Sequence, residues 1–421
     1  MRVLWLCNIM LPVIAEALGK PASNKEGWLS GLAQQILLHE KENQIELGIC
    51  YPVPKWQEPT SGEVLGISYF EFREDTAKPE NYDASMEDGL AEILQKFKPD
   101  VVHCFGTEYP HTLAMTRAME DKSKILIGIQ GLCYIYADRY YADLPGSIVN
   151  RYLFRDLVKR DNIRIGRNKF VKRGVFEKEA LSLAGNITGR TDWDKAAAKQ
   201  CGPNAKYHFM NETLRSNFYG EQWEYENCEP YSIFLSQGNY PIKGLHYMLE
   251  AMPAILKQYP EAKVYVAGDV ITRYESLKDK IKIGSYGKYC LDLIRRYGLK
   301  DKVHFVGRLN AVEMCERYLK SHVFVSPSSI ENSPNSVGEA MLLGMPVVSS
   351  DVGGVANMLV HGEEGILYPY NQVDALADAV CRMFADKEEA VRMGKKAQSH
   401  AKVTHDGQAN YARLMEIYQQ I

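Results

Sequence analysis

Several features of other protein classes are missing from this chain of 421 residues. Its nine cysteines are scattered without a C-x-x-C pair, which argues against a zinc ribbon or a disulfide framework and predicts a reducing, cytoplasmic setting. No run of about 18 apolar residues is present, so we expect no transmembrane helix. The net charge of −3 does not indicate a polyanion-binding protein, and we expect no nucleic-acid partner.

What the sequence does have is an alternation of apolar strands and amphipathic helices, repeated over two halves. The apolar N-terminus contains Pro12 and Glu16, so we interpret it as a first buried strand and loop rather than a signal peptide. The alternation predicts an α/β protein with two Rossmann-like domains that face a central cleft. We place the domains at 1–212 and 225–404, and expect the final helix, 405–421, to pack back on the first.

The stretch from Ser326 to Gly354 predicts a ligand site in the second half. It reads as strand, loop, helix and strand, with Glu331 on the loop and Glu339 inside the helix. A helix start at the carboxyl edge of a parallel sheet is a natural phosphate seat. We expect Ser333 to cap this helix and Pro334 to be its first residue. The alternative is two solvated glutamates on a surface helix.

A lysine and several glycines mark other loops at strand ends. Lys243 follows a loop with Gly238 and Asn239, and a lysine at this edge can neutralise a leaving diphosphate, although a surface lysine is the alternative. Gly27 precedes the first long helix, where the backbone comes close to a ligand or another element. An ordinary loop glycine would fit the pattern equally well.

Residues 151–178 are strongly basic in a chain that is slightly acidic. They contain ten Lys or Arg and three acids, interleaved with aromatic residues. A basic, aromatic helical stretch is typical of a surface that docks on an anionic membrane. The alternative is a pair of solvated helices packed on the rest of the domain.

Taken together, these motifs resemble the retaining glycosyltransferases of family 4, which have the GT-B fold. The matching pieces in the second half are the Glu331-x7-Glu339 spacing, the run EAMLLGMPVVSSDVGG, the Lys243-Gly244 pair and the strand VHFVG. The looser matches in the first half are DVVHCFGTEYPH and ITGRT. The resemblance covers nearly the whole chain. Within the family, the chain resembles the enzymes that make bacterial surface polysaccharides, including those of the capsule.

The resemblance implies a role for each matching residue. Glu331 would bind hydroxyls of the donor sugar, and Lys243 would stabilise the leaving diphosphate. Glu339 would hold the ribose. The remaining donor-binding positions implied by the resemblance are the amides of Asn335, Ser336 and Val337, the loops at Gly238, Asn239, Gly307 and Arg308, and Gly27.

The sequence departs from the family pattern at two places. Asn239 stands where an arginine is common, so one cation for the leaving group is missing. The usual His-x-His is here His103 and Phe105, which leaves the acceptor-side group open. The candidates are His103, Glu108 and His111, with a core histidine as the alternative for His103.

We therefore expect a retaining transfer of a hexose-type sugar from a nucleotide diphosphate sugar, UDP being the first choice, to a glycan or lipid-linked saccharide. No cofactor and no metal are expected, since Asp192-Trp193-Asp194 has D-x-D spacing but lies at a helix start. The acceptor implies a cytoplasmic protein, peripheral at the inner membrane face. Two alternatives are a sugar-nucleotide epimerase on the same fold and a non-catalytic, transferase-like partner.

Overall fold

The computed structural model describes residues 1–21, 27–39 and 44–421. The chain forms two compact units and crosses between them more than once. The first unit contains Met1–Ala137, Lys169–Arg215 and His405–Ile421, and the second contains Asp138–Asn168 and Ser216–Thr404. The predicted boundary kept 1–212 together, whereas in the structure residues 138–168 belong to the second unit. The C-terminal segment belongs to the first unit, as expected.

Helices and strands alternate along most of the chain. From the N-terminus to the third crossing they are β1 (Arg2–Leu6), α1 (Pro12–Ala17), α2 (Gly27–Leu38), β2 (Glu46–Val53), β3 (Ser61–Val64), β4 (Ile67–Arg73), α3 (Ser85–Phe97), β5 (Val101–Phe105), α4 (His111–Ala118), β6 (Ile125–Gly128), α5 (Cys133–Arg139), α6 (Gly146–Val149), α7 (Phe154–Lys159), α8 (Ile163–Leu183), β7 (Asn186–Gly189), α9 (Asp192–Cys201) and β8 (Lys206–Phe209).

The rest of the chain continues the pattern to the C-terminus. Its elements are β9 (Glu229–Leu235), α10 (Leu245–Gln258), β10 (Lys263–Ala267), α11 (Leu277–Lys282), α12 (Ser285–Arg296), β11 (Val303–Gly307), α13 (Ala311–Leu319), β12 (Ser321–Ser326), α14 (Asn335–Leu343), β13 (Val347–Asp351), β14 (Ile366–Pro369), α15 (Val373–Ala385), α16 (Lys387–Thr404) and α17 (Gly407–Gln419). No helix of the described residues is long and apolar enough to cross a bilayer.

Each unit is built on one sheet whose central strands are apolar on both faces. In the first sheet the order is β3-β4-β2-β1-β5-β6-β7-β8, and among the described strands only β3 and β4 pair antiparallel. In the second sheet the order is β11-β10-β9-β12-β13-β14, and its described pairs are parallel. Continuous apolar runs suit such strands because helices cover both faces.

Each sheet has a point where the strand order reverses. In the second sheet the chain proceeds outward from β9 through β10 to β11, and then returns to place β12 on the other side of β9. In the first sheet β1 lies between β2 and β5 in the same way. Loops that leave the carboxyl ends of the two strands at such a point diverge, and the crevice between them is where open α/β sheets bind ligands.

The C-terminal helix α17 completes the core of the first unit. Tyr411, Leu414 and Ile417 are buried with residues of α2 and β1 in one apolar cluster. Tyr418 lies deeper, where its hydroxyl accepts a hydrogen bond from Trp5 Nε1 at 2.9 Å. The same hydroxyl is 2.8 Å from His103 Nδ1. The predicted fold class and the packing of the last helix on the first unit are thus confirmed.

We predict that Tyr418→Phe destabilises the first unit. The change leaves the Trp5 indole N–H buried without an acceptor. It also removes the hydroxyl that contacts His103 Nδ1. Each buried polar group left without its partner costs about 1–3 kcal/mol. The free energy of unfolding in urea measures the loss. Tyr297→Phe, at an exposed tyrosine, serves as the control and should be near neutral. Equal stability of the two variants would contradict this account.

Candidate functional site

The strongest polar contact at the reversal point of the second sheet joins Lys243 and Glu331. Lys243 follows β9 and Glu331 follows β12, and these two strands are hydrogen-bonded neighbours. The Lys243 Nζ donates to Glu331 Oε1 at 2.6 Å, and Glu331 is 6% exposed. Burial alone lowers the pKa of Lys243, but the Glu331 carboxylate outweighs it and holds the pKa above its ordinary value. Lys243 is therefore a charged ammonium at neutral pH.

Two glycines fix the loops that carry this pair. Gly244 has φ +68°, and a Cβ there would lie 1.8 Å from the carbonyl oxygen of Pro327. Gly353 has φ +56°, and a Cβ there would lie 1.8 Å from the carbonyl oxygen of Glu331. Both positions combine a left-handed backbone with close approach of another chain segment, which only glycine allows. The glycines thus hold the Lys243 and Glu331 loops close together.

The helix α14 begins one residue later than the sequence predicted. Pro334 is its N-cap and Asn335 is its first residue, so Pro334 does not occupy the first helical position that the sequence predicted. Val337 N donates to Pro334 O at 2.9 Å, which engages one of the three amides expected to meet a diphosphate. Asn335 and Ser336, at the first helical positions, have no intrahelical acceptor for their amides. These two amides are the ones at the positive end of the helix dipole.

Glu339 is inside α14, as predicted, and is 5% exposed. The expectation that it and Glu331 might be solvated surface glutamates is wrong, because both are buried. A buried carboxylate is costly unless it is held by partners, and such groups are kept where charge or hydroxyl binding is needed. The two glutamates therefore belong to the interior of this edge of the sheet.

A second group of predicted residues lines a cavity of about 630 Å³. Asn239 follows β9, Gly307 and Arg308 lie at the end of β11, and all three line the cavity. The strand β10 lies between β9 and β11. Between them lies Asp269, after β10: its backbone N–H donates to Asn239 Oδ1 at 3.2 Å. Arg308 binds the same aspartate with two hydrogen bonds, of 2.6 and 3.0 Å. The hydrogen bonds from Arg308 lower the pKa of Asp269.

This arrangement changes the interpretation of Asp269, Arg308 and Gly238. Sequence reasoning missed Asp269, although it directly follows Gly268 at a strand end, which is the signal that could have found it. Arg308, one of the donor-binding residues implied by the resemblance, has its guanidinium held by Asp269. Gly238 does not line the cavity; a Cβ there would lie 2.9 Å from Val266 Cγ1, so its requirement is one of packing.

The opposite wall of the cavity comes from the segment 138–168. Asp156 of α7 is fully buried and accepts hydrogen bonds from Leu153 N at 3.0 Å and Ser285 N at 3.2 Å, and also from the Ser285 hydroxyl. Arg155 Nη1 donates to the same carboxylate at 3.2 Å. His246 Nε2 lies 2.9 Å from Ala142 O, and the ring is buried. These contacts attach the segment to the second unit.

In the first unit, His103 lies in the core. The ring is fully buried, and burial lowers its pKa to about 3. Trp5 Nε1 and His103 Nδ1 both lie within hydrogen-bonding distance of the Tyr418 hydroxyl, which holds the ring inside the core. The geometry therefore favours the alternative of a core histidine.

His111 lies at the reversal point of the first sheet, where the sequence expected an acceptor-side group. Its Nδ1 is 2.7 Å from Glu74 Oε2, and its Nε2 is 3.0 Å from Asn8 Oδ1. His111 and Glu74 are 1% and 3% exposed. Both ring nitrogens face acceptors, so His111 is held in one orientation by Glu74 and Asn8. Sequence reasoning missed these two residues, because they follow β4 and β1, far away along the chain.

Glu108, the third acceptor-side candidate, lies beside a second carboxylate. Its Oε1 accepts from Gly131 N at 2.9 Å, while its Oε2 is buried without a partner among the described residues. Glu177 of α8 is also buried; it accepts from Thr107 Oγ1 at 2.6 Å and from the first two amides of α5 at 3.0 Å each. Burial raises the pKa of Glu177 to about 7 despite these hydrogen bonds.

The basic segment 151–178 is helical, but the structure divides it. Residues up to 168 belong to the second unit and those from 169 to the first. Several of its cations contact carboxylates elsewhere in the chain: Arg151 with Asp292, Arg167 with Asp138, and Lys169 with Glu80. The cationic surface is consequently smaller than the sequence suggested.

Two further expectations concern Gly27 and metals. Gly27 is the first residue of α2, and the residues that precede it, 22–26, lie outside the described part of the chain.

Asp192 and Asp194 lie in the first turn of α9, which Thr191 caps by accepting from Asp194 N at 3.0 Å. Within residues 1–21, 27–39 and 44–421, no group of three potential metal ligands comes together.

Comparison with known proteins gives the site its context. Residues 221–400 match the family model of the glycosyl transferases group 1, a range that contains Lys243, Glu331, Glu339 and Arg308. A glycosyltransferase of Methanocaldococcus jannaschii is 33% identical over 175 residues, which cover 41% of this chain and 40% of that protein. YtcC of Bacillus subtilis, also named as a glycosyltransferase, is 28% identical over 339 residues, or 79% of this chain and 76% of YtcC.

Solved structures share the whole fold. Sucrose-phosphate synthase of Thermosynechococcus elongatus superimposes with a TM-score of 0.71 at 16% identity, covering 100% of this chain and 98% of the enzyme. HepE of Anabaena, solved with UDP and glucose, gives 0.65 at 14% identity, with both chains fully covered. The chain thus has the GT-B fold and carries a glycosyltransferase group 1 domain in its second half. It spans about 40% of the length of the M. jannaschii relative.

The Glu177 carboxyl predicts how stability depends on pH. Its pKa rises from 4.5 in the unfolded chain to about 7 in the folded protein. Between these two pH values, the folded state keeps a proton that the unfolded state has lost. The contribution of Glu177 to the free energy of unfolding is therefore largest below about pH 4.5. It falls by up to about 3 kcal/mol as the pH rises through 7. Urea unfolding from pH 5 to pH 8 should show a shallower fall in Glu177→Gln than in the control Glu179→Gln. Parallel profiles would rule this out.

Proposed function

We propose that the protein is a retaining glycosyltransferase that moves a hexose-type sugar from a nucleotide diphosphate sugar to a hydroxyl of a glycan or lipid-linked saccharide. The observation that carries the proposal is the Lys243–Glu331 ion pair, buried at the reversal point of the sheet that carries the matched domain. A cation held in this position suits a reaction whose leaving group is a diphosphate.

The chemistry proposed for the pair follows from its hydrogen-bonding capacity. An ammonium has three donors, and only one faces Glu331 Oε1, so the others could reach phosphate oxygens without breaking the ion pair. The second carboxylate oxygen of Glu331 could accept from a sugar hydroxyl. The pair would then bind donor sugar and leaving group together, while the amides of Asn335 and Ser336 supply further positive charge.

In the proposed reaction, the bond between the anomeric carbon and the diphosphate oxygen breaks as the acceptor oxygen bonds to the same face of the sugar. Negative charge grows on the diphosphate oxygen, and Lys243 is the side chain we propose to balance it. The acceptor hydroxyl gives its proton to the departing diphosphate oxygen on the same face, and no metal is involved in our scheme. Glu339 is proposed to bind the ribose, and the cavity at Asn239, Gly307 and Arg308 the base. UDP is the proposed nucleotide, supported by the UDP bound in the HepE structure.

The acceptor side of the proposal rests on the first unit. We propose that Glu108 and the His111–Glu74 pair lie near the acceptor hydroxyl, since both follow β5 at the carboxyl edge of the first sheet. A surface-polysaccharide pathway on the cytoplasmic face of an anionic membrane is the proposed setting. One relative, LpcC of Rhizobium leguminosarum, is named as a lipopolysaccharide core mannosyltransferase, and this supports it at 30% identity over 160 residues.

Lys243→Ala should lower kcat by about 100-fold, the usual cost of losing one charge-stabilising donor. Lys257→Ala, at an exposed lysine of α10, is the matched control and should keep full activity. Because the single change leaves Glu331 buried without its cation, the double variant Lys243→Met/Glu331→Gln separates catalysis from stability. Turnover of the folded Lys243→Ala protein within a few-fold of the parent would remove this residue from the mechanism.

A thermal-shift series with UDP-, GDP-, ADP- and CDP-sugars should identify the donor, because a ligand of the folded state raises its apparent stability. We expect the largest rise with a UDP-sugar, and a smaller rise in Glu339→Gln, which would hold the ribose less well. Incubation with that donor and a saccharide acceptor should then give a product with unchanged anomeric configuration by NMR. An epimerised nucleotide sugar formed without any acceptor would show an epimerase instead.

A further inference from the structure

The second unit exposes apolar side chains on two helices that pack against each other. On α7, Phe154, Leu157 and Val158 are 60%, 61% and 67% exposed, and they lie on one helix face at spacings of three and four. On α11, Leu277 and Ile281 are 78% and 50% exposed and four residues apart. The two helices are distant in sequence but contact each other. Large side chains with this exposure, grouped together, indicate a binding surface.

The same two segments are cationic. Residues 151–160 contain four Lys or Arg and one acid, and residues 273–282 contain four and two, so together they carry +5 in a chain of net charge −3. One of the three acids, Asp156, faces inward and is fully buried against Ser285. The exposed cations at the edge of the apolar faces include Lys159, Arg160, Lys278 and Lys280.

This surface is held rigidly. The Asp156 carboxylate accepts from Leu153 N at the start of α7 and from Ser285 N at the start of α12, so it links the two segments. Ser285 Oγ also donates to Arg151 O at 2.9 Å. These hydrogen bonds attach α7 to the start of α12, which two residues separate from the end of α11, and α7 also packs on α11.

We propose that the apolar faces of α7 and α11 form one docking surface, defined by Phe154, Leu157, Val158, Leu277 and Ile281, whose partner is a bilayer surface containing anionic lipid. Apolar side chains bordered by lysines and arginines match an interface that offers acyl chains beneath negative headgroups. An acidic protein groove would satisfy the charge, but the long, flexible lysines and the convex helix faces fit a fluid surface better. The proposal narrows the predicted region 151–178 to α7 and adds α11, which the sequence did not indicate.

The position of the docking surface also suggests which acceptor the protein uses. This step of the inference rests on the proposed transferase function. Asp161 and Ile283, close along the chain to the docking helices, line the cavity that also contains Asn239 and Arg308. A bilayer bound to α7 and α11 would therefore lie next to the proposed donor pocket. An acceptor anchored in lipid is the substrate class that such a placement serves.

Vesicle co-sedimentation of the full chain tests the docking surface. The protein should bind vesicles of phosphatidylglycerol and phosphatidylcholine, bind vesicles of phosphatidylcholine alone about tenfold more weakly, and be released by added salt. The double variant Leu157→Gln/Leu277→Gln should lose binding by about tenfold or more. Its control, Val312→Gln/Val403→Gln, changes two exposed apolar residues outside the surface and should bind as the parent.

A second pair of variants tests the charge. Lys159→Glu/Lys278→Glu should bind anionic vesicles at least about tenfold more weakly, whereas Lys257→Glu/Lys300→Glu, with the same change of net charge, should retain most of its binding. No binding by the parent, equal binding to neutral vesicles, or binding unaffected by either test variant would overturn the proposal. So would self-association that Leu157→Gln/Leu277→Gln abolishes, which would make this face a contact between two copies of the chain.

The vesicle assay contains no nucleotide sugar and no acceptor. Nucleotide-sugar binding and turnover with a soluble acceptor, measured without vesicles, report the proposed transferase separately. The test variants should keep both, since none of the changed residues lines the cavity or contacts Lys243. Loss of vesicle binding with retained turnover supports the docking surface, while vesicle binding without turnover contradicts only the proposed enzyme.

Discussion

The ion pair between Lys243 and Glu331 depends on one property of the second sheet, the reversal of strand order between β9 and β12. Eighty-eight residues separate the two side chains along the chain, yet they follow neighbouring strands and meet at 2.6 Å. The glycines at 244 and 353 exist to let their loops approach, and their positive φ values are unfavourable for any other residue. A charged pair so well buried is expensive to desolvate, and such pairs are weak contributors to stability. The Lys243–Glu331 pair is therefore better explained by a role in ligand binding than by a role in stability.

The first unit repeats this arrangement with different chemistry. At its reversal point, Asn8 after β1 meets His111 after β5, and Glu74 after β4 completes the contact. A buried carboxylate orients the imidazole there, whereas in the second unit a carboxylate neutralises an ammonium. Nearby, Glu177 is held by three donors and still has a pKa near neutral, because burial disfavours its charge more than the hydrogen bonds favour it. Each unit thus concentrates its buried charges at the edge of the sheet.

Local patterns predicted the elements well, because helix and strand periodicity is a property of short windows. The alternation of strands and helices is confirmed, and so are the positions of Glu331 on a loop and Glu339 in a helix. The spacing of these two glutamates was informative since both lie in one supersecondary unit. The predicted start of α14 was one residue too early, because Pro334 occupies the N-cap and not the first helical position.

What the sequence could not predict depends on contacts between distant segments. Nothing local to Glu74 or Asp269 indicates that the first will hold His111 or the second Arg308. The membership of 138–168 in the second unit is decided by the Asp156–Ser285 and His246–Ala142 contacts, whose partners are more than a hundred residues apart. A net charge counted along 151–178 likewise ignored the carboxylates that fold against it. Charge patterns describe a surface only once the partners are known.

The return of the last helix to the first unit also constrains how the protein is made. Trp5 and His103 precede the second unit along the chain, but the hydroxyl that contacts both belongs to Tyr418, which follows it. Domains usually fold in order as the chain emerges, and here the N-terminal one must wait for the second to be complete. Until then its apolar face beneath α17 is uncovered. A chain cut before α17 would therefore expose an apolar surface of the kind that aggregates or binds chaperones.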